Sequence, residues 1–183
     1  MTESRTPKEN GVGHIFIDEE KLQDRVREMA AEISQDYRDK HPVIISVLKG
    51  AFYFVADITR LLTVPIHIDF LGIGQMPGVS RDTGIVRITK DLEISIARRH
   101  VIMVEDVIDT GLTLAYLLQN LTPRRPESLH VCVLLDNPRR RLVELPIKYR
   151  GFEAPDEFLV GYGLDYQEDY RHLPYIAHFE TKS

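Results

Sequence analysis

The run Val101-Ile102-Met103-Val104-Glu105-Asp106-Val107-Ile108-Asp109-Thr110-Gly111-Leu112-Thr113-Leu114 constrains this chain more than any other stretch. It opens on four apolar residues, a length that suits a strand covered on both faces. Two adjacent carboxylates break the apolar run, and a third follows three residues later. Thr110 and Gly111 then turn the chain into Leu114, Leu117, Leu118 and Leu121, which recur at helical spacing. In open α/β sheets the ligand site lies beyond the carboxyl ends of the strands. A helix start adds free backbone N–H groups suited to an anion. Acids beside an anion cradle point to a substrate that carries hydroxyls and phosphate, with a divalent metal.

The rest of the chain supplies a frame for that edge. Val43–Leu48 reads as a second buried strand, ending in Lys49-Gly50 and followed by a helix over Ala51–Leu62. Ser128–Leu135 reads as a third, ending in Asp136-Asn137-Pro138 and then Arg139-Arg140-Arg141. Polar residues thus collect at the same end of each strand. Asp18 is a candidate N-cap, with Glu19 and Glu20 in the first turn of a helix that runs to about Lys40. Pro65–Leu71 alternates like a half-exposed or edge strand, and Ile85–Thr89 returns antiparallel to it. Between them lies a glycine-rich loop over 72–84, of the kind that serves as a lid. Residues 1–13 read as a polar arm, and 14–183 as one domain. Strands alternating with helices make this α/β, a mostly parallel doubly wound sheet of about five strands.

Composition narrows the function classes. The formal net charge of -5 disfavours a nucleic-acid partner. The single cysteine, Cys132, lies in an apolar run and reads as a small core residue. The polar N-terminus and the lack of a long uncharged apolar segment point to a cytoplasmic protein with no membrane association.

The stretch Val104-Glu105-Asp106-Val107-Ile108-Asp109-Thr110-Gly111-Leu112-Thr113 resembles the phosphoribosyl diphosphate motif of the type I phosphoribosyltransferases, the hypoxanthine–guanine branch in particular. Leu48-Lys49-Gly50 resembles that family's pyrophosphate loop, where the Leu-Lys peptide is typically cis. The aromatic and glycine-rich segment from about 145 to 183 is similar to its purine-holding hood. The resemblance implies a purine salvage enzyme. It would join phosphoribosyl diphosphate and a purine base, hypoxanthine and guanine, into IMP or GMP with Mg²⁺. A homodimer or homotetramer is implied as well.

Roles follow residue by residue. Asp109 would take or share the purine's proton, while Glu105 and Asp106 meet the ribose hydroxyls or their metal. Asp109, Thr110, Gly111, Leu112 and Thr113 would cradle the 5-phosphate. Lys49, Gly50 and Arg171 would hold pyrophosphate. Phe158 would stack on the base, Leu159 would read its edge through the backbone, and Asp165 would hold the metal beside them.

Two departures stand out. The family's Ser-Tyr pair in the lid falls on Gln75-Met76, and Met cannot replace a phenol's hydrogen bond. The lysine that usually touches the purine's exocyclic oxygen falls on Asn137, a shorter and neutral donor. On that alignment a lysine restored at 137 is expected to tighten hypoxanthine. Arg139 is an alternative reach. Three other readings stay open: the same chemistry on another base such as xanthine, a nucleotide-sensing RNA-binding regulator using Arg139–Arg141, and a dinucleotide-binding domain. The last has no Gly-x-Gly-x-x-Gly after the first strand.

Overall fold

Strands in this chain alternate their side chains between two cores. In the computed structural model, which describes residues 11–75 and 86–180, Ile44, Ile102, Val104, Cys132 and Leu134 face one cluster. Their sequence neighbours Val43, Ile45, Val101, Met103, Val131 and Val133 face the other. A period of two with both faces apolar can only be a sheet covered on both sides.

The order along the chain is β1 (Val12–Ile17), α1 (Glu19–Asp36), β2 (Val43–Leu48), α2 (Phe52–Leu61), β3 (His67–Gln75) and β4 (Val86–Lys90). It continues with β5 (His100–Ile108), α3 (Leu112–Leu121), β6 (Ser128–Asp136), β7 (Ile147–Glu153), β8 (Leu159–Val160) and β9 (Ile176–Phe179). The main sheet has the order β4-β3-β2-β5-β6-β7. Its strands pair in parallel except for β4, which runs antiparallel to β3 at the edge. Residues of α1 and α2 pack on the first core and those of α3 on the second. Asp18 caps α1 as expected, accepting from the Lys21 backbone N–H at 2.8 Å.

Three boundaries differ from the sequence reading. The arm does not extend to residue 13, because β1 begins at Val12 and pairs with β9. Its partner lies at the other end of the chain, so no local signal marks it. The segment from 145 does not belong to the hood as a whole, since β7 is the last strand of the main sheet. The hood is instead a three-stranded sheet, β1-β9-β8. Finally, β3 is flanked by β2 and β4 and is no edge, and its polar Asp69 is buried while Ile68 is exposed.

Asp69 is buried because it organises the turn after β4. Its Oδ1 accepts from the Phe70 N–H at 2.7 Å, and its Oδ2 accepts from Glu93 and Ile94 at 2.7 and 3.1 Å. Burial opposes its charge, but these N–H donors together with Lys90 outweigh it and hold the carboxyl below its usual range. A depressed carboxyl contributes stability above its ordinary value of 3.8 and loses it as the pH falls further. Asp69→Asn is therefore expected to cost about 1–2 kcal/mol at pH 7 and progressively less toward pH 3. Urea melts at both pH values check this, and coincident midpoints at pH 7 would refute it.

Candidate active site

The site is built where two neighbouring strands part. Strand β5 pairs with β2 only as far as Val104, but with β6 as far as Ile108. β2 runs on to Leu48 beside β3, so β2 and β5 part after Ser46 and Val104, and Glu105 and Asp106 lie half-buried where they separate. Glu105 Oε1 is enclosed and has no hydrogen-bond partner. Burial first, and the charge of Asp106 second, push its carboxyl well above the usual range. Burial also raises Asp106, against the opposing effect of the Val107 N–H, which donates to Oδ1 at 2.8 Å. Arg171 is close enough to favour the charge on Asp106, and carboxylates in this setting suit hydroxyls or a metal from a ligand.

Such a crest costs stability. Glu105→Gln is expected to raise stability at pH 7 by about 1–2 kcal/mol, or about 2–8 °C in Tm, while lowering activity. The gain should open as the pH rises above the ordinary carboxyl value of 4.5, because only there does folding hold back the wild-type charge. Thermal melts from pH 4 to 8 read it, and a variant that melts below wild type at pH 8 would contradict it.

Helix α3 starts immediately after the crest. Gly111 precedes it with φ 80, and no side chain caps the helix. Its first N–H groups are thus left for a ligand. Thr110, Gly111 and Thr113 line a hollow together with Glu105 and Asp109. Leu112 donates only a long 3.4 Å contact to Thr110 Oγ1. The loop is braced from behind: Leu142 N–H donates to Thr110 O at 3.0 Å, and Arg141 donates to Asp109 O and Ile108 O at 3.0 and 3.1 Å.

Strand β2 brings the second predicted loop to the same edge. The Leu48–Lys49 peptide is cis, as the resemblance implied. Gly50 lies so close to Asp106 that a Cβ there would overlap its carboxylate. Lys49 Nζ reaches Glu168 Oε2 at 2.8 Å. Arg171 pairs with Asp165 at 2.7 Å and donates to Gly163 O at 2.7 Å. Asp165 Oδ2 also accepts from the Glu168 N–H at 2.9 Å. Lys49, Glu168, Arg171 and Asp165 thus form one chain of charges.

A second hollow opens on the hood side. Phe158 and Leu159 line it beside Asp106, Asp109, Arg140 and Asp165. Phe158 is 52% exposed, its ring held edge-on by Tyr166 with centroids 5.8 Å apart. Asp109 lines both hollows, which makes it the junction between the hollow at the start of α3 and the one under Phe158. Gln75 ends β3, and Met76 lies outside the described residues.

Asn137 does not line either hollow. It is 1% exposed, and its Nδ2 donates to Pro155 O at 3.3 Å and Asp156 Oδ1 at 3.2 Å. Its assignment to base contact is corrected: the side chain ties β6 to the segment before Phe158. A lysine at 137 would break that tie, so tighter hypoxanthine binding is no longer expected of it.

The three arginines separate by direction. Arg139 reaches outward to Glu153 at 3.8 Å, and Arg141 is anchored on buried Asp136. Only Arg140 faces the hollow, 3.3 Å from Asp109. Each is therefore matched to an acid, which removes the main support for an RNA-binding patch. Sequence reasoning missed Arg140, Arg141 and Glu168. The row of arginines was a visible signal, but its division of labour depends on the turn that follows β6.

The paired acids at the end of β5, the open helix start and the hood define a phosphoribosyltransferase. The family model described as phosphoribosyl transferase domain matches residues 17–167. A hypoxanthine-guanine phosphoribosyltransferase of Bacillus subtilis is 41% identical over 163 residues, covering 89% of this chain and 91% of that protein. The solved hypoxanthine-guanine phosphoribosyltransferase of Bacillus anthracis superposes with a TM-score of 0.88 at 43% identity, over 93% of this chain and 99% of that one. A Trypanosoma cruzi hypoxanthine phosphoribosyltransferase, solved with its product IMP, gives 0.87 at 37%, over 96% and 98%. The chain belongs to the hypoxanthine-guanine phosphoribosyltransferase family.

Proposed function

We infer that this chain moves a 5-phosphoribosyl group from phosphoribosyl diphosphate to a ring nitrogen of hypoxanthine or guanine, giving IMP or GMP and pyrophosphate. The observation that carries this is the position of Asp109, shared by a hollow at a helix start and a hollow under Phe158. The 5-phosphate fits the first and a flat base the second, so the anomeric carbon falls between them. Asp109 would take the proton from the base as its other ring nitrogen bonds to that carbon. Lys49 and Arg171, released from Glu168 and Asp165, would neutralise departing pyrophosphate.

Mg²⁺ fits this crest. Among the described residues no three metal-binding side chains converge, and Mg²⁺ is commonly held by one or two carboxylates plus waters and substrate phosphates. Glu105 and Asp106, whose charge burial opposes, are the acids that suit it. Asp165 joins them only if Arg171 releases it. When bound, the metal would neutralise charge on the ribose hydroxyls and pyrophosphate.

Self-association as a dimer or tetramer is part of the same reading, supported by exposed Leu48, Phe52, Tyr53 and Ile68. A cytoplasmic location accords with the described residues, where no helix is long and apolar enough to cross a membrane. Pyrophosphate release with hypoxanthine, guanine, xanthine and adenine offered in turn tests the reading. The two 6-oxopurines named first are expected to turn over fastest, and activity with adenine alone would overturn it.

A further inference from the structure

We propose that Arg140 is the specificity residue of the base pocket, reading the oxygen at the purine's six position in partnership with Asp109. The inference rests on the reading that the hollow under Phe158 takes a purine. Among the described residues, the lining of that hollow carries carboxylates at Asp106, Asp109, Asp156, Glu157 and Asp165, and one cation, Arg140. Ionised carboxylates only accept hydrogen bonds, while a guanidinium only donates. A ligand oxygen in this hollow therefore finds its one charged donor in Arg140.

The pairing with Asp109 makes the selection specific. Arg140 Nη1 lies 3.3 Å from Asp109 Oδ2, so a donor and an acceptor sit side by side on the wall. Along one edge a purine presents N7 and the six-position group as neighbours. In a 6-oxopurine protonated at N7 these are a donor and an acceptor, the complement of Asp109 and Arg140. In adenine the six-position group is an amine, a donor facing a donor. The mismatch leaves both groups without a partner in a partly enclosed site.

Among the described residues beside Arg140, none competes for the role. Asn137 is buried with its Nδ2 engaged, Arg139 points outward, and Arg141 is held by Asp136 and two carbonyls. Arg140 itself is half exposed, and its named partner is Asp109. The short turn Pro138–Arg140 aims it: Pro138 sits at the first position, and Arg140 N–H closes on Asn137 O at 3.3 Å. The ion pair with Asp109 is loose enough to exchange for a base oxygen at little cost.

The test compares Arg140→Ala, Arg140→Lys and Arg139→Ala in the full chain, with hypoxanthine and adenine as bases. Arg140→Ala is expected to raise KM for hypoxanthine about 10- to 100-fold and to narrow the hypoxanthine-to-adenine ratio of kcat/KM by a similar factor. KM for phosphoribosyl diphosphate should stay within about threefold. Arg140→Lys should recover most of the loss, and Arg139→Ala should stay within about twofold of wild type. An unchanged hypoxanthine KM in Arg140→Ala overturns the proposal, as does an equal rise in both KM values. A shift confined to the pH profile of kcat also overturns it, since Arg140 would then act only on Asp109. Wild-type protein that turns over no base would remove the reading of the site itself, and that outcome is distinct from the others.

Discussion

Asp109→Asn is expected to lower kcat by roughly 100- to 10,000-fold while binding of IMP stays within a few-fold of wild type. The substitution keeps the shape of the side chain but removes its capacity to accept a full proton. Asp109 is half exposed at the junction of the two hollows, and its main-chain oxygen is already held by Arg141. The loop should therefore keep its course, and the main-chain N–H groups after it, proposed to cradle the 5-phosphate, should keep their arrangement. Steady-state kinetics together with a titration of IMP separate the two effects. Wild-type turnover would remove Asp109 from proton transfer. A parallel collapse of IMP binding would show instead that the side chain builds the cradle.

The second large effect concerns Gly50→Ala. A single methyl group there would overlap the Asp106 carboxylate, and the Gly50 carbonyl is itself pressed against Gly163 of the hood, whose φ is +100. The loop cannot retreat in either direction without displacing the crest acid or the turn that carries Arg171. Asp106 is the more mobile neighbour, but it is fixed through Oδ1 by the Val107 N–H. We expect KM for phosphoribosyl diphosphate to rise on the order of 100-fold, because displacements of about an ångström at a reacting centre have effects of that size. The stability loss should be about 1–3 kcal/mol, the usual range for overpacking. A protein that melts near wild type yet binds the diphosphate poorly would bear this out. An unaltered KM would mean that the loop stands off from Asp106 when substrate is bound.

These two residues also divide what was legible from what was not. The strand-acid-turn-helix run around Asp109 was readable from local pattern, because an apolar run, adjacent acids and a glycine turn are all consecutive in sequence. The squeeze on Gly50 was not, because it involves residues from three separate elements. The same holds for Asn137. Alignment placed it in contact with the base, but its short side chain finds Pro155 and Asp156 before it can reach the hollow. Arg140 gains its position from a turn of three residues, and neighbouring arginines look alike until that turn is drawn.

By itself the sequence determined the alternation that builds a sheet covered on both faces, the helix starts at Asp18 and Gly111, and the gathering of acids and glycines at one edge. Those are short-range properties, set by side-chain period and backbone freedom over a few residues. Only the tertiary structure decided that β1 crosses to the hood, that β7 stays in the main sheet, and that one arginine of three meets Asp109. Contacts between residues far apart in the chain depend on how complete strands and turns settle against each other, and no local pattern records that outcome.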